Sequence, residues 1–461
     1  MGVRGTANLR FEGRVRVSRN SPSGTGRFIR HTLSAIALLC FISGNLFAEG
    51  KPRSAFDWGY RLRLRQEYSA NLSDFSNAVT DDNNYIRVRS QFWGSWAPSA
   101  QWKLYAMLNN EHRHWYKSNK GLEHQEFDIH ELLVENLYIE GKNLGGTPFG
   151  FIAGRQNLLY GEGFICWDGG PLDGSRTGYF NALLFTAAFG KRRLDAHILS
   201  DPERDRYLTP LNNQKQSLIE WDETGAGLYY TDESFDGRKL EAYYFYKNEN
   251  DEDGAYPESD IHTIGARASG KGFGRLTFAV EGAVQAGDRG PQKRLGYGGY
   301  LHGKYALPVE RVPIALGAGS FYLSGDNPGS KDTYEGWNPV HSRWPKWSDL
   351  YIYSLAKERG SAFWENFASM WFGFEVKPLD RITLEERLYL MWAAEAPPPD
   401  AGKSLFGTGS YRGTLSFVKL SGTLNKFLSA YILWEALLPG DYYFSGSDTA
   451  HFLRWEIMFK Y

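Results

Sequence analysis

Three arginines stand two apart at Arg61, Arg63 and Arg65, and Arg87 and Arg89 repeat the spacing about twenty residues on. In a β-strand, residues two apart share one face. A guanidinium presents a planar fork of donors that fits carboxylate or phosphate. Five of them on one wall would create a local field suited to transient anion binding. The same residues admit a second reading, in which acids such as Glu67, Glu111 and Glu385 pair with arginines and stiffen the wall. Other reactive residues do not assemble into a site. His112 and His114 share a strand face without a further ligand, which reads as loop-edge polarity. Glu162, Asp168 and Asp173 fit no known metal loop and read as solvated surface. Ser361 has no nucleophile-elbow spacing around it. The expectation is no catalytic residue, no metal and no cofactor.

The elements carrying these arginines alternate with period two. Trp58, Tyr60, Leu62 and Leu64 oppose Arg61, Arg63 and Arg65; Ile86, Val88 and Phe92 oppose Arg87, Arg89 and Gln91. The chain ends the same way, with Leu453, Trp455, Ile457, Phe459 and Tyr461 against Arg454, Glu456 and Lys460. About eighteen such segments run from residue 55 to 461, including less clean ones at 127–140 and 363–376 and one at 405–419. No stretch shows helical periodicity beyond a turn or two. Short connections such as Ala97–Ala100 and Gly190–Arg192 alternate with longer ones such as 69–82, 286–293 and 325–362. Alternating apolar and charged faces, with short turns on one side and long loops on the other, are the pattern of a transmembrane barrel. The fold class expected is all-β: one antiparallel up-and-down barrel of about eighteen strands, with short periplasmic turns and long extracellular loops. Trp58, Trp96, Trp102, Tyr305, Trp392 and Tyr461 would sit at the two interfaces as aromatic girdles.

Composition agrees. The chain has 51 Gly, 28 Tyr, 29 Phe and 15 Trp, and a hydrophobic fraction of 42% that argues against a helical membrane protein. Arg27 and Arg30 precede an apolar run from Leu33 to Ile42 and a small-residue site ending at Ala48, the layout of a secretory signal peptide. Residues 1–48 are expected to be this signal with its basic leader, and residues 49–461 the barrel. The leader carries a net +6, so removing it from a chain of net −1 leaves about −7. The basic cluster therefore belongs to export and not to nucleic-acid binding. One cysteine, Cys166, remains after cleavage, which excludes a disulfide framework.

Three stretches resemble a known family. They are Ala153-Gly-Arg-Gln-Asn-Leu-Leu-Tyr-Gly-Glu-Gly163 followed by Leu172-Asp-Gly-Ser-Arg176; Tyr322-Leu-Ser-Gly-Asp326 with Trp337-Asn-Pro339; and Leu437-Leu-Pro-Gly-Asp-Tyr-Tyr443. Together with the arginine-rich first strand they resemble the alginate export family of outer-membrane porins. The resemblance implies an eighteen-stranded barrel in the outer membrane of a Gram-negative-type bacterium. It also implies passive diffusion of an anionic, alginate-like polysaccharide through an arginine-lined lumen. By position Arg155 would join Arg61, Arg63, Arg65, Arg87, Arg89, Arg387 and Arg454 as pore-lining residues. Asp173, Arg176 and Asp326 would pin external loops to one another. Lys403, Arg412 and Lys419 depart from the family, which tends to be acidic there. Expected partners are outer-membrane lipid and lipopolysaccharide, the anionic polysaccharide, and the barrel assembly machinery through the C-terminal strand. A general or nutrient-uptake porin for small anions or sugars is the alternative on the same scaffold. A barrel enzyme or anchor is a third, for which no site is localised.

Overall fold

In hydrocarbon a backbone amide has no water to bond, so strands that cross must pair on both edges. The strands here do so by closing on themselves. A computed structural model describes residues 55–461 apart from 79–80, 119–131, 168–178, 209–218, 252–253, 255, 343–346, 359–363 and 398–404. The signal-peptide expectation lies outside the described residues.

Eighteen strands form the wall: β1 Phe56–Ala70, β2 Asn83–Trp96, β3 Trp102–Lys117, β4 Leu133–Gly141, β5 Phe149–Gln156, β6 Phe180–Phe189, β7 Arg192–Asp201, β8 Asp222–Asp232 and β9 Arg238–Asn250. They continue with β10 Ser259–Lys271, β11 Leu276–Arg289, β12 Gln292–Ala306, β13 Ile314–Leu323, β14 Phe367–Leu379, β15 Ile382–Trp392, β16 Tyr411–Thr423, β17 Leu428–Pro439 and β18 Ala450–Lys460. Each pairs antiparallel with the next, and β18 returns to β1 in a register running from Arg61↔Lys460 to Ala70↔His451. Tyr60 and Tyr461 extend that seam with reciprocal backbone bonds of 3.2 and 2.8 Å.

The two faces separate as the alternation requires. Ile264, Leu301, Phe372 and Ile432 are more than half exposed in the isolated chain, whereas Arg63, Arg65 and Arg89 are almost wholly buried. Water cannot be the solvent for such a band of large apolar residues; lipid is. Aromatic pairs sit at strand ends, with ring centroids 5.4 Å apart for Trp58–Tyr461 and 5.6 Å for Trp392–Tyr411.

Five local expectations are corrected. The connection 286–293 is not a long loop: β11 and β12 continue through it and leave only Gly290 and Pro291 between them, with Gly290 turning at φ 56°. The strand expected at 405–419 is Tyr411–Thr423, and that at 363–376 is Phe367–Leu379. His112 and His114 lie within β3 and not at a loop edge. Last, the chain does contain a helix, α1, at Asp349–Glu358. Its ten residues are too few to be stable alone in water, so its support is tertiary.

The lipid face gives a direct test of orientation. Ile264→Arg, on the outer face of β10, should lower the unfolding free energy in lipid vesicles by about 2–4 kcal/mol, whereas Ile264→Leu should leave it nearly unchanged.

Candidate functional site

The predicted arginines face the interior and meet carboxylates there. The register sets Arg63 opposite Arg89 and Arg65 opposite Arg87, so like charges stand directly across the β1–β2 pair. Such pairs repel unless counter-charges lie between them. Glu111 on β3 lies 2.9 Å from both Arg63 and Arg87 and 3.5 Å from Arg89. Glu456 on β18 lies 2.7 Å from Arg65. Glu67 receives Arg65 at 3.2 Å, Arg87 at 3.3 Å and Arg454 at 3.0 Å, together with the Tyr85 hydroxyl. The pairing reading of the sequence is therefore correct for Glu67 and Glu111, and for Glu385, which bonds Arg387 at 2.8 Å. Arg113 joins the cluster 3.7 Å from Glu111, and Arg61, partly exposed at its edge, bonds Gln91 at 3.2 Å.

Other expected residues lie elsewhere. Arg155 is buried on β5 and held by Asp205 at 2.8 Å, Asn181 at 3.0 Å and the Val134 carbonyl at 3.0 Å, with Tyr179 stacked on its guanidinium. It fastens the connection after β7 to the wall. Asp326 accepts the backbone amide of Glu335 at 3.2 Å, so it braces its own loop rather than a second one. Burial raises its carboxyl pKa, and the nearby acids Glu365 and Glu335 add to the rise. Asp173 and Arg176 lie outside the described residues.

Two long connections fold into the lumen. Cys166–Trp167, after β5, pairs in parallel with His341–Ser342, after β13. Ser342 Oγ donates to the Gly163 carbonyl at 2.6 Å and the His341 amide to that of Ile165 at 2.9 Å. Wall side chains hold this inner layer by its backbone. Gln285 donates to the Asn338 carbonyl at 2.7 Å and accepts from its amide at 2.8 Å. Lys247 Nζ donates to the Val340 carbonyl at 2.6 Å, and Arg294 to that of Gly336 at 3.0 Å. Val340 sits at φ 58°, an uncommon conformation for a β-branched residue, sustained only because its surroundings over-determine it.

The helix α1 is clamped at both ends. Ser348 caps the Tyr351 amide at 2.9 Å, and Glu435 on β17 accepts from Ser348 Oγ at 3.0 Å and from the Leu350 amide at 2.5 Å. At the other end Arg412 on β16 bonds Glu358 at 2.6 Å and Tyr351 at 2.8 Å. Arg454 adds a 2.7 Å bond to Asp349. A buried pair of this kind holds geometry; removing one partner leaves a costly orphan charge. Arg412, noted in the sequence as a departure from the family pattern, is thus the helix anchor. Glu435, set in the apolar run Ile432-Leu-Trp-Glu-Ala-Leu437, and Ser348 before Asp349 carried legible signals: a lone acid aimed inward and an N-cap.

Between the inner layer and β12–β15 a cavity of about 310 Å³ remains, lined chiefly by aromatic side chains with Arg387, Lys304 and His302 at its edges. Among the described residues no group of three or more His, Cys, Asp or Glu could hold a metal ion.

A closed barrel of eighteen antiparallel strands with an apolar outer band and charged interior defines a porin of the Gram-negative outer membrane. Solved porins share the fold. OccK5 (OpdH) of Pseudomonas aeruginosa is 13% identical with a TM-score of 0.52, covering 88% of this chain and 98% of its own. A BenF-like porin of Pseudomonas fluorescens Pf-5 is 9% identical with a TM-score of 0.54 over the same shares. OccAB2 of Acinetobacter baumannii is 9% identical with a TM-score of 0.53, again over 88% and 98%. No protein of curated function matches the sequence. The chain belongs to the alginate export family, whose model, described as "Alginate export", matches residues 55–396. That range contains the first two of the three motifs and stops before the third, at 437–443.

Two expectations follow from these contacts. Arg412→Met should strand the Glu358 carboxylate and lower the protection of α1 amides in hydrogen exchange by about 3–5 kcal/mol, with the barrel strands little changed. The second concerns Glu162, which ties the inner layer to the wall through Arg267 and His302, each at 2.9 Å. Burial pushes its carboxyl pKa up, but the hydrogen bonds from His302 and Arg267 outweigh it and hold the group below its ordinary value. Its contribution is present above the ordinary carboxylate pKa of about 4.3 and is lost as pH falls through the lower folded value. Amide exchange in residues 157–167 should therefore accelerate below about pH 4, and Glu162→Gln should remove that acid dependence.

Proposed function

We propose that this chain is a passive outer-membrane channel for anionic saccharides, an alginate-like polymer or its oligomers, with an arginine-rich wall that selects for negative charge. The observation that carries this reading is the cluster on β1, β2, β3 and β18, where Arg63, Arg65, Arg87, Arg89, Arg113 and Arg454 gather on one stretch of the inner wall around Glu67, Glu111 and Glu456. Guanidinium groups concentrated on one wall present donors and a local field that favour a passing anion. Diffusion past it requires sites strong enough to admit the chain and weak enough to release it. Membership in the alginate export family supports the same substrate class. In this reading Arg61 and Arg387 also line the pore. Arg155, wholly engaged by protein groups, supports the pore without meeting the substrate. The outer band implies contact with lipid and lipopolysaccharide. The terminal strand β18 is the segment that the assembly machinery would engage.

A second reading, uptake of small anions or sugars, is favoured by one observation: the inner layer fills much of the lumen and leaves a cavity on the scale of a small-molecule site. Planar-bilayer recordings separate the two. Under the first reading an alginate-like polyanion blocks anion current while dextran does not; under the second, neither polymer blocks and small solutes permeate. Arg61→Glu combined with Arg113→Glu, at the more accessible edge of the cluster, should move the reversal potential toward cation preference. An unchanged reversal potential would overturn the charge-selection reading.

A further inference from the structure

The cavity inside the barrel is lined differently from the arginine cluster. Its inner side is formed by Phe164, Trp337 and Trp347, and its outer side by Tyr300, Trp371 and Tyr389 on the wall. The rings are held as a continuous surface. Phe164 stacks on Trp337 with centroids 5.2 Å apart and meets Tyr300 edge-on at 5.6 Å. Trp347 lies 5.9 Å from Tyr389, which lies 6.2 Å from Trp371. The sequence makes room for the last of these. Gly317 and Gly319 on β13 lie under the Trp371 indole, and a Cβ at either would run into the ring. The Arg387 guanidinium sits 5.2 Å from the Trp371 ring centre and helps fix the indole in place.

The charges at the edge of this surface are already matched. Lys304 bonds Glu375 at 2.7 Å, Arg387 bonds Glu385 at 2.8 Å and His302 bonds Glu162 at 2.9 Å. Recognition here cannot rest on a net field. It rests on aromatic faces, with Ser320, Ser369 and the paired side chains as hydrogen-bonding groups at the rim. A pyranose ring has this complementary chemistry. Its axial C–H face is apolar and weakly positive, matching the negative face of an aromatic ring, while its hydroxyls turn to a polar rim.

The geometry points to a saccharide-stacking site among the aromatic side chains of this cavity, with Trp371 on its wall side, that binds pyranose units whether or not they carry a carboxylate. Charge selection and sugar recognition are then performed by separate parts of the lumen. This inference rests on the channel reading but is tested apart from it.

The experiment uses the purified full-length porin in planar bilayers, with cellohexaose as a neutral probe and a mannuronate hexamer as an acidic one. Both hexamers should interrupt the open-channel current at millimolar concentration. Trp371→Ala should weaken block by both about tenfold. Trp371→Phe should retain most of it, and Trp434→Ala on the outer face should have no effect. The reversal potential should not move in any of these variants, because the arginine cluster is untouched. If neither hexamer blocks the wild type, the stacking site is wrong even where anion selectivity stands. If only the mannuronate hexamer blocks and Trp371→Ala leaves it unchanged, recognition is by charge and the inference is likewise overturned. Block by a small aromatic acid without block by either hexamer would assign the cavity to a different ligand class. Loss of block by both hexamers with loss of all conductance in Trp371→Ala is resolved by Trp371→Phe, which must then restore both for the inference to stand.

Discussion

Hydrocarbon admits no unpaired backbone amide, and the seam between β1 and β18 is where this chain meets that requirement. Closure with this many strands creates a lumen wider than the wall's own side chains can fill. The chain fills it with its loops. Those loops bring backbone amides and carbonyls of their own into a space where they too must be satisfied. Gln285, Lys247 and Arg294 are wall residues whose partners are loop backbone. The interior is thus a second layer, fastened to the first by single hydrogen bonds and ion pairs, with an apolar cluster of Leu158, Ile165, Trp337, Leu350 and Tyr351 between them.

The charges divide the lumen into two regions. On the β1–β3 and β18 side, arginines face each other across strands and share Glu67, Glu111 and Glu456. Burying so many ions is costly unless each finds counter-charge and hydrogen bonds, and their arrangement as a network supplies both. On the β12–β15 side Lys304 and Arg387 pair with Glu375 and Glu385, and eight aromatic side chains line the cavity. One polypeptide wall therefore presents a strong local field at one place and an almost neutral, polarizable face at another.

The barrel was legible because its alternation is forced. Lipid on one side and water on the other leave little freedom over a strand, so period two survives from Trp58 to Tyr461. Arg63 and Arg65 could be oriented for the same reason. What the alternation does not encode is how far each side chain is used up by others. Arg155 looked like a pore residue by its motif, yet its donors go to Asp205, Asn181 and a carbonyl. The helix at Asp349–Glu358 was missed because its short apolar face matches no long period and its stability comes from Glu435 and Arg412, distant in sequence. The hairpin at Gly290 was missed because glycine-rich, polar residues at the end of β11 read as loop although they continue a ladder.

The parallel bridge between the two inward loops has a consequence for how the molecule is made. Ser342 and Gly163 are separated by 179 residues, and the groups that hold the inner layer, Lys247, Gln285 and Arg294, all belong to the wall. Contacts so remote in sequence form late, because the intervening chain must first be ordered. The inner layer can then settle only after the wall that holds it exists, and Val340 can adopt its strained backbone only when Lys247 and Asn338 are already in position. A freshly closed barrel would accordingly be an unobstructed one, and its narrowing would be the last event of its maturation.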